Sequence, residues 1–421
     1  MAVWWDILLI LAVCALVLPA LWALRPARVS RWMEPATAEA LGAMRMWISA
    51  ILLASVLWED LASTAHLPRG MLRYDHQWLP ELLSALPLGF DRFMASAAAL
   101  QAFETATAML LGLAMVGLFT RWTVPAAAVA YLLFASILRS YAWFYHTGLV
   151  PLYALLLLSF TPCGDAFSLD RLLRVRRGLP VPPAREPRLR YGVGRYLVWM
   201  AVALPYTMAG LSKLRNGGPL WWQGDHMKQM LVSTILEPMH FDFQLTFGLL
   251  RWPGWLFDAL GLAAVLGEVT FGLVLVSALA RRVLPALMAA MHVGILVLMN
   301  ILFPDLIAIQ AVFYDWTPLR RRLEAWTSRW RRAARAPPPL PERVPDPAVR
   351  RQAVLAAAFL LVASVCWAGR IEAFPFTGMQ MFSRRHLAEP VQYVRPLVRY
   401  EDGTVAPARC ERWIGAMADS R

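Results

Sequence analysis

Residues 283–316, VLPALMAAMHVGILVLMNILFPDLIAIQAVFYDW, decide how many times this chain crosses a membrane. The stretch is largely apolar, and Pro304 and Asp305 break it. About 20 apolar residues in a helix are enough to cross a bilayer. The stretch therefore predicts either one long helix or two shorter helices folded as a hairpin. The flanking arginines help to choose between these alternatives.

The composition of the whole chain places it in a membrane. Of the 421 residues, 59% are hydrophobic and 16% are charged, whereas soluble proteins have about 25% charged residues. This excludes a soluble globular enzyme, a disordered chain and a small disulfide-stapled domain. The apolar residues form blocks long enough for helical spans, at about 4–24, 43–63, 97–119, 123–140, 148–163, 196–213, 254–280, 283–316 and 353–369.

The distribution of arginine predicts the orientation of these spans. Loops rich in Lys and Arg stay in the cytoplasm, and loops 25–42, 164–195 and 317–352 are the arginine-rich ones. All three lie inside only if 283–316 crosses twice, which favours the hairpin, about ten spans and both termini outside. The net charge of +13 is then an orientation signal, and we expect no nucleic-acid partner.

The predicted fold class is an all-α polytopic membrane protein of about nine or ten transmembrane helices with a small C-terminal exoplasmic β-containing cap. In the cap, VQYVRPLVRYEDGTVAP (391–407) is typical of a strand, an Asp-Gly turn and a second strand. The predicted units are an extra N-terminal helix with a cytoplasmic loop, a transmembrane domain, a Pro/Arg-rich linker, a last helix and the tail, at 1–34, 35–332, 333–352, 353–372 and 373–421.

Ionisable residues inside spans are costly and are functional candidates by default. We expect Arg45 to extend towards the cytoplasmic surface, and Glu104 to pair with Arg45 or Arg139. Glu104 and Glu268 are otherwise candidates for a proton relay. His292 lies in an apolar run, where both a buried core histidine and a ligand-binding one remain open. The full set is Arg45, Glu104, Arg139, Lys213, Asp258, Glu268 and His292.

Lys213 is the sharpest functional signal. The chain has 41 basic residues, of which only Lys213 and Lys228 are lysines. Arginine keeps its proton, whereas a partly buried lysine can release it and act as a base or nucleophile. The alternative, a lysine that extends outwards to water, remains open. His146, in the loop YAWFYHTGL (141–149), falls on the same face, so we expect Lys213 and His146 to meet at an outer cavity.

Metal and thiol chemistry are not predicted. The cysteines have neither zinc nor redox spacing; they are Cys14, Cys163, Cys366 and Cys410. Four potential ligands share one outer loop, and we interpret them as solvated loop residues; they are Asp225, His226, His240 and Asp242.

Five segments in a fixed order point to a family. They are PATAEALGAMRMWISAILLASVLWED (35–60), FYHTGLVPLYALLLLSFTPCGDAFSLDRLL (144–173), AGLSKL (209–214) followed by Trp and Gly, MHVGILVLMNILFP (291–304) and FPFTGMQMFS (374–383). Together they resemble the vitamin-K-dependent γ-carboxylases and their bacterial relatives, the horizontally transferred transmembrane (HTTM) domain proteins. In the carboxylases, a lysine deprotonates reduced vitamin K, whose oxygenation is coupled to carboxylation of glutamate.

The resemblance implies roles for individual residues. Lys213 would be the base and His146 its helper, while a cavity for a reduced naphthoquinone would be lined by His292, Trp221, Trp222 and Gly224. The implied partners are the lipid bilayer, the quinol and an exoplasmic or lipid-like substrate. The implied location is the inner membrane of a bacterium, with the tail on the outer side.

Two classes of function remain open. The first is a membrane enzyme that acts on a lipid-soluble quinol or a lipid-like substrate through a lysine base. The alternative is a non-enzymatic multi-span protein, a transporter or an assembly factor, that shares only the fold. The buried Glu104 and Glu268 favour transport, and Lys213 with His146 favours the enzyme.

Overall fold

The structure, a computed structural model, describes residues 33–67, 78–87, 89–141, 147–235, 245–316, 347–380, 397–399 and 403–407, together with residues 241, 243 and 383. The helices are α1 Ala38–Trp58, α2 Trp78–Ala85, α3 Phe90–Met94, α4 Ala97–Val116, α5 Thr120–Tyr141, α6 Leu149–Leu158, α7 Leu169–Arg176, α8 Leu189–Gly217, α9 Gly224–Ile235, α10 Leu245–Leu249, α11 Gly254–Thr270, α12 Ala278–Met299, α13 Pro304–Ala308 and α14 Pro347–Gly369. The 3₁₀ turns within the described residues are Ala62–His66, Gly218–Trp222, Phe271–Leu275 and Ile309–Phe313. The strands are β1 Glu372–Ala373, β2 Phe376–Thr377, β3 Leu397–Arg399 and β4 Val405–Pro407.

Seven of the described helical segments are long and apolar enough to cross a membrane. They are Ala38–His66, Ala97–Val116, Thr120–Tyr141, Leu189–Trp222, Gly254–Leu275, Ala278–Met299 and Ala348–Gly369. This confirms the prediction of an all-α polytopic membrane protein. The predicted span at 4–24 and residues 333–346 of the predicted linker lie outside the described residues. The last helix begins at Pro347, earlier than the expected residue 353.

Two of the predicted spans are too short to cross a membrane. The block 148–163 contains only the ten-residue helix α6, about 15 Å long at 1.5 Å per residue. The stretch 283–316 does break as the hairpin prediction requires, with Asn300 in a left-handed conformation after α12 and Pro304 in the first turn of α13. Its second arm, however, is the short segment Pro304–Phe313. Both predictions relied on the number of apolar residues in a row. They overestimated the length of the helices because part of each stretch is not helical.

The two short helices begin side by side inside the bundle. The backbone N–H of Gly148, which precedes α6, donates to Asp305 Oδ2 at 2.7 Å, and Asp305 is in the first turn of α13. Gly148 has φ +73°, and a Cβ there would lie 1.9 Å from the hydroxyl of Tyr131, in the middle of α5. A helix start leaves backbone N–H groups unpaired, and the buried Asp305 carboxylate satisfies one of them.

The bundle has two distinct ends. At the arginine-rich end, α1 and α8 begin, and Ala36 and Arg188 pair through their backbones. At the opposite end, which we call the tail end, Ser212 near the end of α8 donates to the carbonyl of Gly378 at 3.1 Å. The assignment of the arginine-rich end to the cytoplasm is a prediction from the arginine distribution.

The described part of the C-terminal tail contains two small antiparallel hairpins. Strands β3 and β4 pair from Leu397 opposite Pro407 to Arg399 opposite Val405, which confirms the hairpin predicted at 391–407. The sequence analysis did not find the first hairpin, β1 with β2. Phe374 lies between these two strands and is buried. The guanidinium carbon of Arg139, in α5, lies over the Phe374 ring, 4.1 Å from the ring centroid. This first hairpin therefore packs into the bundle.

Arg45 ties three helix ends together at the arginine-rich end. Its side chain is fully buried and donates to the carbonyls of Cys163 at 2.9 Å, Phe167 at 2.5 Å and Met115 at 3.4 Å. The expectation that Arg45 extends towards the surface is therefore wrong. Carbonyl groups at the end of α4 and in the chain after α6 lack helical partners, and the guanidinium satisfies them inside the protein.

We expect Arg45→Gln to lower the free energy of unfolding by at least about 1–3 kcal/mol, because it leaves buried carbonyl groups without donors. Thermal unfolding of the purified protein in detergent measures this change. The matched control is Arg121→Gln, at an exposed position of α5, which should leave stability unchanged. Equal stability of the two variants would contradict the structural role given to Arg45.

Candidate functional site

A buried ion pair joins α8 to α11. Lys213 Nζ lies 2.6 Å from Glu268 Oε2 and 2.9 Å from Oε1. Lys213 is 5% exposed and Glu268 is 7% exposed, so both charges are removed from solvent. Either charge alone would be very costly there, and each compensates the other. The sequence analysis found both residues but did not predict that they meet.

Close packing of α8 on α11 makes this contact possible. A Cβ at Gly210 would lie 2.6 Å from the backbone nitrogen of Val269 and 2.9 Å from the Cβ of Glu268. Gly210 therefore has to lack a side chain for the two helices to approach this closely. Lys213 lies three residues later, on the same helix face. The sequence AGLSK thus contains both the glycine that brings α11 close and the lysine that uses this proximity.

The ring of Trp221 packs against the ion pair. The Lys213 ammonium lies 5.3 Å from the centroid of the Trp221 ring, within the range of a cation–π interaction. The chain can return to Lys213 because Gly218 adopts φ +55° after α8. The ring of His226 packs edge-on against Trp221 at 5.9 Å. His226 is buried, so its assignment as a solvated loop residue is wrong, whereas Asp225 is exposed as predicted.

His292 presents one ring nitrogen as an acceptor. Its Nδ1 lies 2.8 Å from the carbonyl oxygen of Met288, and a carbonyl only accepts, so this geometry assigns the proton to Nδ1. Nε2 then carries a lone pair. The ring is 3% exposed and is held edge-on between Tyr206 at 5.7 Å and Phe303 at 5.8 Å. The His292 ring also interacts electrostatically with the charge of Lys213.

Tyr206 and Gln310 are site residues that the sequence analysis missed. Gln310 Nε2 donates to the Tyr206 hydroxyl at 2.9 Å, and both side chains are buried. The Tyr206 ring also packs against Phe271, with centroids 4.7 Å apart. Tyr206 precedes Lys213 by seven residues, which is two helical turns and places both on one face of α8. That spacing, and a glutamine inside an apolar run, were the available signals.

The tail packs against α8 beside the ion pair. Ser212, the neighbour of Lys213, donates to the carbonyl of Gly378. Asn216, one turn later, donates to Gln380 Oε1 at 3.1 Å and to Ser383 Oγ at 2.8 Å. The segment FPFTGMQMFS thus fixes the end of the helix that carries Lys213.

Of the other residues predicted at the cavity, His146 lies outside the described residues, and Trp222 and Gly224 contact α11. His146 lies outside the described residues, so its approach to Lys213 stays a prediction. The Gly224 N–H donates to the Asp258 carboxylate, and Trp222 packs on Gly261, where a Cβ would lie 2.9 Å from the tryptophan. Trp222 and Gly224 therefore join the start of α9 to α11.

Glu104 does not pair with an arginine in the described part of the chain. Its Oε2 accepts the backbone N–H of Leu61 at 3.0 Å, at the start of a 3₁₀ turn. Arg139 donates to the carbonyls of Ala135 and Thr147, and Arg45 binds carbonyls as described above. The predicted arginine pair of Glu104 is therefore wrong, because each of these charges binds backbone groups instead.

Within the described residues, no group of three or more His, Cys, Asp or Glu side chains could hold a metal ion. Cys163 and Cys366 are both buried. The site built around Lys213 consists of proton-binding and aromatic groups.

Comparisons with family models, with curated proteins and with solved structures find no match for this chain. The resemblance to the carboxylase and HTTM families is therefore a prediction from the motifs quoted above.

We expect Gly210→Ala to destabilise the protein by about 1–3 kcal/mol, because the new methyl group forces α8 and α11 apart and stretches the ion pair. Chemical unfolding in mixed detergent measures the effect. The control is Gly294→Ala in α12, where a Cβ meets nothing within 4 Å. Equal stability of the two variants would show that Gly210 does not set the helix separation.

A double-mutant cycle tests the ion pair itself. Lys213→Met and Glu268→Gln should each lower the free energy of unfolding by about 3–5 kcal/mol, because each weakens or removes the compensation of a buried charge. The double variant Lys213→Met/Glu268→Gln should recover part of this loss, since it buries no charge. Strictly additive effects in the same unfolding measurement would argue against a direct pair.

Proposed function

We propose that this protein is an integral membrane enzyme that removes a proton from a lipid-soluble quinol, with the Lys213–Glu268 pair as the proton acceptor. The contact of 2.6 Å between a buried lysine and a buried glutamate is the observation that carries the proposal. The choice of a reduced naphthoquinone as substrate comes from the resemblance to the carboxylase family.

A proton can move within the pair without creating a net charge, and the charge of +1 that the pair gains from a quinol proton is balanced by the quinolate that this transfer leaves. Transfer of one proton from Lys213 to Glu268 converts an ammonium and a carboxylate into an amine and a carboxylic acid. Both arrangements are neutral overall, so burial penalises the change far less than it penalises an isolated charge. The neutral amine then has a lone pair for a substrate proton, and the face of Trp221 stabilises the ammonium that forms.

His292 supports a hydroxyl-bearing aromatic substrate. With Nδ1–H held by Met288, its Nε2 can accept a hydrogen bond from a quinol hydroxyl. The rings of Tyr206 and Phe303 pack against His292, and Phe271 packs against Tyr206; such aromatic surroundings suit a planar aromatic ligand. In this proposal His292 orients the quinol and Lys213 takes its proton, while His146 assists as the resemblance implies.

The position of the site suits a substrate that dissolves in the membrane. Lys213 and Glu268 both belong to segments long and apolar enough to cross a bilayer, so a lipid-soluble quinol can approach them from the hydrocarbon region. The proposal includes a bacterial inner membrane as the location, with the tail and the site in its outer half. As in the carboxylase family, the oxygenation of the quinol would be coupled to the reaction of a second substrate, which is exoplasmic or lipid-like.

One observation favours the alternative of a transporter. Helices α6 and α13 begin inside the bundle at the Gly148–Asp305 contact, and helices interrupted within the membrane line substrate and ion sites in many transporters. Among the described residues, no group forms a hydrogen bond with the buried Oδ1 of Asp305. A proton-coupled transporter would use this carboxylate rather than Lys213.

We expect the purified protein to convert a reduced naphthoquinone and O₂ into the quinone epoxide and water, detected by mass spectrometry. Lys213→Arg should lower the rate at least about 100-fold, because arginine preserves the positive charge but does not give up its proton. Glu268→Gln should also lower the rate. Lys228→Arg replaces the other lysine, which packs on Phe257, and should react like the wild type.

The absence of epoxide from folded wild-type protein with several quinols would contradict the enzyme proposal. Uptake into proteoliposomes driven by a proton gradient would then be measured. Transport that is lost in Asp305→Asn but retained in Lys213→Arg would favour the alternative function.

A further inference from the structure

Helix α7 at the arginine-rich end has two faces with different surroundings. It covers Leu169–Arg176, LDRLLRVR, and its N-cap Ser168 accepts the backbone N–H of Arg171 at 3.0 Å. Because Arg45 holds the Phe167 carbonyl just before this cap, the start of α7 is fixed to the bundle.

The polar face of α7 is bound to the protein. The Asp170 carboxylate accepts the backbone N–H groups of Phe119 at 2.7 Å and Thr120 at 2.8 Å, and so caps the start of α5. The guanidinium of Arg171 donates to the carbonyls of Asp165 at 2.9 Å and Pro182 at 2.6 Å. These bonds prevent α7 from rotating about its own axis.

The opposite face is a leucine stripe. Leu169, Leu172 and Leu173 occupy positions i, i+3 and i+4 and are 38%, 43% and 37% exposed. The stripe lies where the α5 span begins, and Phe119 and Trp122 are also exposed there. Since Asp170 and Arg171 fix the helix, the leucines cannot turn into the bundle. An apolar stripe at this level faces the boundary between lipid tails and headgroups.

Exposed arginines follow the leucine stripe. Arg174, Arg176 and Arg177 are all exposed, and within the described residues none of them forms an ion pair with a carboxylate. Arg174 makes one hydrogen bond, to the carbonyl of Pro180 at 3.0 Å. Among the described residues, these three guanidinium groups thus have no carboxylate partner.

We propose that α7 is a binding site for anionic phospholipids, in which the leucine stripe enters the acyl–headgroup boundary and Arg174, Arg176 and Arg177 bind the lipid phosphates. Guanidinium groups form strong paired hydrogen bonds with phosphate. A soluble phosphate would use the arginines but leave the leucines in water, and an acidic protein or RNA would have to compete with the lipid surface at the same level. The apolar and charged groups together fit a lipid.

Native mass spectrometry of the full-length protein tests this site with phosphatidylglycerol and phosphatidylcholine as probes. The wild type should retain phosphatidylglycerol in preference to phosphatidylcholine. The triple variant R174Q/R176Q/R177Q should weaken phosphatidylglycerol binding about fivefold per arginine removed. The control R92Q/R251Q/R370Q removes the same charge from exposed positions at the tail end and should bind as the wild type does.

A second variant, L172S/L173S, distinguishes the binding of a lipid from the binding of a soluble phosphate. It should weaken phosphatidylglycerol binding while its binding of glycerol 1-phosphate stays equal to that of the wild type. Equal losses in the two triple variants would overturn the proposal, since they would show only a net-charge effect. Preferential binding of an RNA oligonucleotide over phosphatidylglycerol would overturn it as well. Matching thermal unfolding curves would establish that all variants are folded.

Discussion

Inside a bilayer, every backbone N–H and C=O group has to find a partner within the protein, and this constraint explains several of the buried charges among the described residues. The regular helices satisfy it by themselves. Where a helix ends early or begins inside the bundle, a charged side chain supplies the missing partner: Arg45 binds three carbonyls, and Asp305 binds the N–H of Gly148. Both side chains therefore have a structural role, because these partners are backbone groups.

The helices were predictable because length and hydropathy alone determine whether a segment can span a membrane. The short helices were not, because an apolar run looks the same whether all or half of it is helical. Buried polar partners were also invisible: Lys213 and Glu268 are 55 residues apart, and no periodicity connects two different helices. Gly210 carries the only local sign of the contact, since a glycine in a helix often marks a close approach of another backbone.

Errors at single residues have a common physical origin. The sequence shows the charge of Arg45 and Glu104, and the expected partners were water or an opposite charge. In the structure, backbone groups of neighbouring turns lie closer. His226 shows the converse error, since its polar loop suggested solvent whereas it packs against Trp221. In both cases the outcome depends on which element covers the residue, and this is a property of the tertiary structure.

Lys213 and Glu268 stand apart because, among the described residues, their charged atoms hydrogen-bond only to each other. A buried ion pair adds little stability, and apolar side chains of similar size are often at least as stabilising. The backbone gives no reason for the pair either, since the helices around it satisfy their own hydrogen bonds. The same neutrality that makes the pair tolerable in hydrocarbon also lets a proton move within it at little electrostatic cost. The proposed role in proton transfer accounts for what packing and backbone satisfaction leave unexplained: a lysine, in a chain that otherwise uses arginine almost exclusively, is placed against a glutamate where Gly210 allows α11 to approach α8.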